Sequence, residues 1–175
     1  MNCFRNSKKH LDDINNYTSA GCIFTDNTLI LAGYQPYKKT PFISGIGGKK
    51  QKEETYAKTA MRELTEELLN IYDLSPNIYQ DLYSIKPLHI QYANGYVNCI
   101  FNFDQLGQIL EIVSLYNVES NLYTTFPKNI TDLIFTRTIN NNEISHLCLL
   151  PVINTNIQID KDFNNDIITL YNTMT

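Results

Sequence analysis

The chain has 175 residues, 43% hydrophobic and 11% aromatic, enough to bury one substantial core and short for two. Fourteen Lys and Arg against 18 Asp and Glu give a formal charge of −4, too mild and of the wrong sign for a wholesale nucleic-acid binder. The apolar stretches fall far short of a membrane span and nothing resembles a secretory leader, so the expectation is one cytoplasmic domain over residues 1–175 with no membrane contact.

Charge is unevenly placed. Residues 1–60 carry nine Lys/Arg and five Asp/Glu, whereas residues 61–175 carry five and thirteen. A basic beginning before an acidic cluster suits a metal-dependent enzyme acting on phosphates, and it equally suits chance unevenness on a solvated surface. Cys3, Cys22, Cys99 and Cys148 form no CxxC pair, which argues against zinc fingers and redox motifs. Three lie in strand-like contexts and read as small buried hydrophobes in a reducing compartment. The abundance of Asn, Ile, Lys and Tyr points to an AT-rich coding genome, such as that of a virus or parasite. For a viral chain the expected location becomes the host cytoplasm.

The elements follow in chain order. Residues 1–17 form a polar arm carrying Arg5, Lys8, Lys9 and His10. Ala20–Phe24 and Thr28–Leu31, split by Asp26-Asn27, predict a hairpin. A loop runs from Tyr34 to Thr40, and Phe42–Ile46 predicts a short strand ending in Gly47-Gly48. Residues 55–69 switch to helical period, with Ala57, Ala60, Met61, Leu64 and Leu68 on one stripe. Strands at Ile85–Tyr92 and Tyr96–Phe103 flank a turn at Ala93-Asn94-Gly95. Asp104–Tyr116 is helical, with Leu106, Ile109, Leu110 and Val113 inward. Asp132–Ile139 and Ile144–Val152 predict a second hairpin about Asn140-Asn141-Asn142, and Asp160 caps a final helix to Tyr171. Strands mixed with helices predict an α/β sandwich.

The chemistry is concentrated between Gly48 and Glu67. On a helix turning about 100° per residue, Glu63, Glu66 and Glu67 share one arc that faces away from the apolar stripe. Like charges so crowded cost a few tenths of a kcal/mol per pair, which a divalent cation offsets. Oxygen ligands select Mg²⁺ or Mn²⁺ over zinc. Gly47 and Gly48 allow close backbone approach to a ligand, and Lys49, Lys50 and Lys52 place positive charge for phosphate beside them. Glu54 and Arg62 are spaced to pair and lock the loop to the helix, leaving the other glutamates to a metal.

This segment resembles the Nudix box, Gx5Ex7REUxEExGU, in which U is bulky and aliphatic. Gly48, Glu54, Arg62, Glu63, Leu64, Glu66 and Glu67 match seven of nine fixed positions. Leu69 and Asn70 stand at the last two. Asn tolerates the left-handed helix end almost as Gly does, so Asn70 serves as C-cap and Ile71 as the aliphatic. The departure therefore touches the helix exit rather than the glutamates.

The resemblance implies an α/β/α sandwich with a mixed β-sheet. It also implies a metal-dependent hydrolase that cleaves the pyrophosphate of a nucleoside diphosphate linked to another moiety. Carried over by position, Glu63, Glu66 and Glu67 would ligate Mg²⁺ or Mn²⁺, with Arg62 and Glu54 supporting them and Gly47, Gly48, Lys49 and Lys50 at the substrate. Glu66 would orient or deprotonate the attacking water, or the base would come from Glu111, Glu119 or Glu143. Three substrate classes stay open. A nucleotide derivative would use Tyr34, Tyr37, Tyr92 or Tyr96 as a platform. A capped RNA end, as in mRNA decapping, would use Arg5, Lys8 and Lys9. A diphosphoinositol phosphate would use the lysines at 38, 39, 49, 50 and 52. A Nudix-fold module that binds a nucleotide or protein without turnover is the alternative, and family members often form homodimers. His89 and His146 read as half-buried structural residues, and no ligand set includes His10.

Overall fold

Alternation along the strands sorts the apolar residues onto two faces of one β layer. In the computed structural model, which describes residues 16–138, 142–153 and 157–174, the strands are β1 (Ser19–Phe24), β2 (Leu29–Gln35), β3 (Phe42–Ser44), β4 (Ile46–Lys49), β5 (His89–Ala93), β6 (Tyr96–Phe101) and β7 (His146–Pro151). The helices are α1 (Tyr56–Leu69), α2 (Pro76–Leu82), α3 (Phe103–Leu115), α4 (Ile130–Phe135) and α5 (Lys161–Met174). One sheet has the order β4-β1-β6-β5, with β1 and β6 parallel and the other pairs antiparallel. The other has the order β3-β2-β7 and is antiparallel.

Ala20, Cys22 and Phe24 of β1 join Val97, Cys99 and Phe101 of β6 in a core covered by α1, α2, α3 and Leu133 of α4. Ile23 and Ile100 point the other way, into a second core with Ile30, Ala32, Leu150 and Phe163, Ile167 and Leu170 of α5. This period-two division is what places helices on both faces. It confirms the predicted α/β/α sandwich with a mixed sheet. Among the described residues no helix is long and apolar enough to cross a membrane.

Three predicted elements are corrected. The turn at Asp26-Asn27 forms, with Asp26 Oδ1 accepting from the Thr28 and Leu29 N–H groups at 2.9 and 2.8 Å. The flanking strands nevertheless make no hairpin beyond a Thr25–Ile30 bridge. Both edges of β1 are taken by β4 and β6, so β2 splays into the other sheet. The predicted Phe42–Ile46 strand is two strands, β3 and β4, switching sheets at Gly45, and Gly47 and Gly48 lie inside β4 opposite Gly21 and Ala20. The predicted Asp132–Ile139 strand is helical from its start to Phe135, and Ile139 lies outside the described residues. Asn129 Oδ1 accepts the Asp132 N–H at 2.9 Å and Asp132 Oδ2 accepts the Lys128 N–H at 3.0 Å, so local capping starts α4. β7 pairs with β2 instead of forming a second hairpin. Helix α2 was not predicted, although Ser75-Pro76 is a start signal and Ile78 and Leu82 bury at i, i+4 spacing.

The remaining elements agree with the pattern. Asp160 Oδ1 caps α5 by accepting from the Asp162 and Phe163 N–H groups, both at 3.0 Å. Cys22 and Cys99 are buried and Cys148 half-buried, all as free thiols. Burial pushes the Cys99 thiol up to about 12, which makes it inert at neutral pH. The basic arm with Arg5, Lys8, Lys9 and His10, together with Cys3 and most of the Asn140–Asn142 turn, lies outside the described residues.

The exit of α1 takes the form that the sequence requires. Asn70 is left-handed, at φ 53° and ψ 38°. Its N–H donates to the Glu66 carbonyl at 3.0 Å, while the Ile71 N–H reaches back to Thr65 at 3.1 Å. Ile71 is buried beyond it, completing the apolar contact of this cap. The Asn70 side chain adds bonds to Asn121 and Asn142. Asn70→Ala should cost about 1–2 kcal/mol, and Asn70→Gly less than half as much, in urea unfolding midpoints. Equal losses in the two variants would assign the effect to the side-chain bonds instead of the backbone.

Candidate active site

Helix α1 packs on β1 and β4, and its polar arc lies against the glycine strand. Thr55 opens it, Oγ1 accepting from the Lys58 N–H at 3.3 Å. Ala60, Met61, Leu64 and Leu68 hold its apolar face in the core. That packing leaves Glu63 and Glu67 against β4, with Glu66 beside Arg62 on the same helix. Gly48 has no side chain where a Cβ would meet the Glu63 carboxyl at 2.5 Å. Gly47, at φ +156°, donates its N–H to Glu67 Oε2 at 2.8 Å, and a Cβ there would collide with the Tyr96 hydroxyl. The glycines are therefore strand positions that admit carboxylates, rather than a turn that cradles a ligand.

Arg62 and Glu54 are both buried, at 8% and 6% exposure, and they pair in a fork. Arg62 Nε donates to Glu54 Oε1 at 2.9 Å and Nη2 to Oε2 at 3.2 Å. Arg62 Nη2 also bonds the Lys49 carbonyl at 2.9 Å, tying loop, helix and β4 at one point. Burial by itself would raise the Glu54 carboxyl. The Arg62 guanidinium, the Gln51 N–H and the Thr59 hydroxyl outweigh it and hold Glu54 at about 2. Tyr17, the buried end of the N-terminal segment, donates to the Glu54 carbonyl at 2.8 Å and bonds the Thr59 hydroxyl at 2.9 Å.

The expected division of labour is only partly kept. Arg62 Nη1 also reaches Glu63 at 2.7 Å and Glu66 at 3.1 Å, so two of the three remaining glutamates lean on it. Among the described residues no three acidic, His or Cys side chains are gathered tightly enough to hold an ion as they stand. Their chemistry nonetheless asks for positive charge. Burial pushes Glu67 well up, and the charges of Glu63, Glu143 and Glu66 push the same way against the Gly47 N–H. Burial likewise raises Glu63, with Glu66 and Glu143 adding to it and Arg62 opposing. An all-oxygen set short of cations fits Mg²⁺ or Mn²⁺.

The structure distinguishes among the other predicted positions. Glu143 lies near enough to push up both Glu63 and Glu67, and Lys38 holds it at 2.7 Å. Glu111 and Glu119 are exposed on α3 and the segment after it. The lysines have separate local contacts. Lys50 lies 4.4 Å over the Tyr17 ring, Lys52 is 3.8 Å from Glu53, and Lys49 is exposed at the end of β4. Tyr37 is 64% exposed and the Tyr34 ring faces His146 at 6.3 Å. His89 and His146 are exposed at the starts of edge strands, not half-buried as predicted.

Sequence reasoning missed Arg137. Its Nη2 donates to the Glu67 carbonyl at 3.0 Å and to the Ile144 carbonyl at 2.8 Å, while Nη1 donates to Leu68 at 2.8 Å. Arg137 thus satisfies the last carbonyls of α1 and fixes the segment beside Glu143. Seventy residues separate it from Glu67, and no local spacing marks it. A cavity of about 640 Å³ adjoins the glutamates through Gly47 and Tyr96, its wall including Ser44, Asn98, Phe163 and Asp166.

The lowered Glu54 carboxyl stabilises the fold fully above its unfolded value near 4.5, and that contribution is lost as pH falls toward 2. Glu54→Gln should destabilise the protein by about 2–3 kcal/mol at pH 7. The difference from wild type should shrink steadily between about pH 4.5 and 2 in denaturant titrations. A gap that stays constant through that window would show that the charge of Glu54 contributes nothing.

No protein-family profile and no curated protein matches the chain. Solved structures do. A Francisella tularensis bifunctional NMN adenylyltransferase/ADP-ribose pyrophosphatase, complexed with AMP and a manganese ion, superimposes with a TM-score of 0.50 at 16% identity over 98% of this chain. The chain spans 46% of that protein's length. The Nudix hydrolase RenU of M. smegmatis has a TM-score of 0.47 at 11% identity, covering 91% of this chain and 86% of its own. A MutT/Nudix family protein of Listeria innocua has 0.43 at 13%, covering 91% and 94%. The chain shares the fold of the first of these structures, and Gly48, Glu54, Arg62, Glu63, Leu64, Glu66 and Glu67 stand at the positions of the Nudix box.

Proposed function

We propose that the protein is a divalent-metal-dependent pyrophosphohydrolase acting on a nucleoside diphosphate linked to another moiety. The observation that carries this reading is that Glu63 and Glu67 sit against the glycine strand, with Glu66 beside Glu63 on Arg62 and Glu143 near enough to raise both. Only Arg62 and Lys38 pair directly with that group among the described residues. Burying Glu67 beside Glu63 without a full complement of positive charge is costly, and a structural role alone gives no return for it.

Glu63, Glu66 and Glu67 would hold Mg²⁺ or Mn²⁺, with Glu63 and Glu66 leaving Arg62 Nη1 to do so. When bound, the cation supplies charge neutralisation at the pyrophosphate oxygens and a lower pKa for water. Gly47, Gly48, Lys49 and Lys50 lie beside the phosphates, and the adjoining cavity receives the attached group. Glu66 orients the attacking water and Glu143 takes its proton. The new P–O bond forms as the bridging P–O bond breaks, and the leaving phosphate departs with the electron pair. Lys38 and Arg137 position Glu143 from either side.

Manganese should raise the melting temperature of the wild type and leave Glu67→Gln unmoved. The same variant should lose metal-dependent turnover of dinucleoside polyphosphates, ADP-ribose and capped RNA by on the order of 10³. Glu143→Gln should keep the metal-induced stabilisation while lowering kcat by about 10²–10⁴ at similar KM. A folded protein that binds these compounds yet turns over none, with or without metal, would make the binding module the better account.

A further inference from the structure

The cavity beside the glutamates has a chemical character of its own. Its wall holds Asp160, Asp162 and Asp166 and, among the described residues, no lysine or arginine. Asp160 is occupied in capping α5 and Asp162 is exposed, which leaves Asp166 as the carboxylate within the wall. Asn98, 4% exposed, hydrogen-bonds Asp166. Gln35, 6% exposed, lines the same cavity; its Nε2 donates to Ser44 at 2.9 Å while its Oε1 has no partner. Burial pushes the Asp166 carboxyl up, opposed by Asn98 and reinforced by Asp162 and Asp160.

Among the described residues the charged side chains of the wall are all carboxylates, so the field is negative. A phosphate-rich group is repelled from such a space. A neutral or cationic ring that offers N–H groups is attracted. Tyr96 and Gly47 belong to both the cavity and the glutamate site, so a nucleobase held here leaves its 5′ phosphates facing the carboxylates.

We propose that this cavity selects the nucleobase by its donor edge, with Asp166 accepting from two adjacent N–H groups of a guanine-type ring. The inference rests on the pyrophosphohydrolase reading and names its substrate class. A carboxylate matches the N1–H and 2-amino groups of guanine in a two-pronged pair. Adenine and cytosine offer one amino group beside a ring acceptor, and uracil one N–H between two carbonyls. Methylation at N7 leaves that edge unchanged and adds a positive charge suited to the aspartates. Guanine and N7-methylguanine thus present one chemistry, from a free nucleotide or a capped RNA end.

Equilibrium binding of GMP, N7-methyl-GMP, IMP and AMP to the full chain tests the proposal. None of the four has an anhydride bond, so the readout stands apart from turnover. GMP and N7-methyl-GMP should bind on the order of tenfold or more tighter than IMP, which lacks the 2-amino group, and AMP. Asp166→Asn, folded by circular dichroism, should reduce the preference to threefold or less. Tighter binding of N7-methyl-GMP than GMP points to the alkylated base and parity to the plain one; both support the inference. Equal binding of AMP and GMP, a guanine preference that survives Asp166→Asn, or no binding of any of the four at millimolar concentration overturns it. Metal-dependent hydrolysis without base selection overturns this inference alone. Base selection without hydrolysis overturns the enzymatic reading and leaves the recognition of guanine.

Discussion

The buried fork between Arg62 and Glu54 is the contact on which the rest of the site depends. It joins the loop before α1, the helix itself and, through the Lys49 carbonyl, the glycine strand. Each of these carries part of the site: Glu63, Glu66 and Glu67 on the helix, Gly47 and Gly48 on the strand. A fork is stiffer than a single ion pair because two parallel bonds fix both distance and plane. Thr59 and Tyr17 complete it with hydroxyls, so the Glu54 carboxylate is buried without an unmet demand.

The same guanidinium is drawn in two directions. Its Nε and Nη2 serve the framework, whereas Nη1 serves Glu63 and Glu66. Arg62 is the positive charge in contact with those glutamates, and they lean on it. Glu67 has no such partner and takes the Gly47 N–H instead. Arg137 works from the opposite end of α1, capping the carbonyls of Glu67 and Leu68 and holding the backbone next to Glu143.

Beyond the glutamates the electrostatics change. Lys38, Lys50 and Lys52 are engaged at separate points of the surface, each with its own partner. The cavity reached past Gly47 is lined by aspartates and amides. A substrate spanning both regions would be recognised by charge at its phosphates and by hydrogen-bond donors at its far end. The two regions meet at Tyr96, whose hydroxyl burial raises well above the ordinary tyrosine value.

What could be read from the chain alone was whatever depends on short spacing. The Gly48–Glu67 offsets, the apolar stripe of α1, the Asn70 exit, the β5–β6 hairpin and the Asp160 cap are all local, and each is present in the fold. They were legible because helix period, strand period and capping act over fewer than about ten residues. Strand partners were not. Asp26-Asn27 makes the turn that its residues specify, but β2 does not pair along β1 because β4 and β6 occupy both of its edges. α4 was misread because its β-branched residues suit either state and the Asn129 cap decided between them. Arg137 was invisible for the same reason as the aspartate-lined cavity: long stretches of chain separate the groups that meet there. The sequence by itself thus determined that Glu63, Glu66 and Glu67 share one face of a helix and that Arg62 and Glu54 can pair across the loop. Only tertiary packing decided that Glu143 comes near enough to act on Glu63 and Glu67, that Arg62 also ties in the Lys49 carbonyl, and what kind of space lies beside them, because those are relations between elements that no local rule sets.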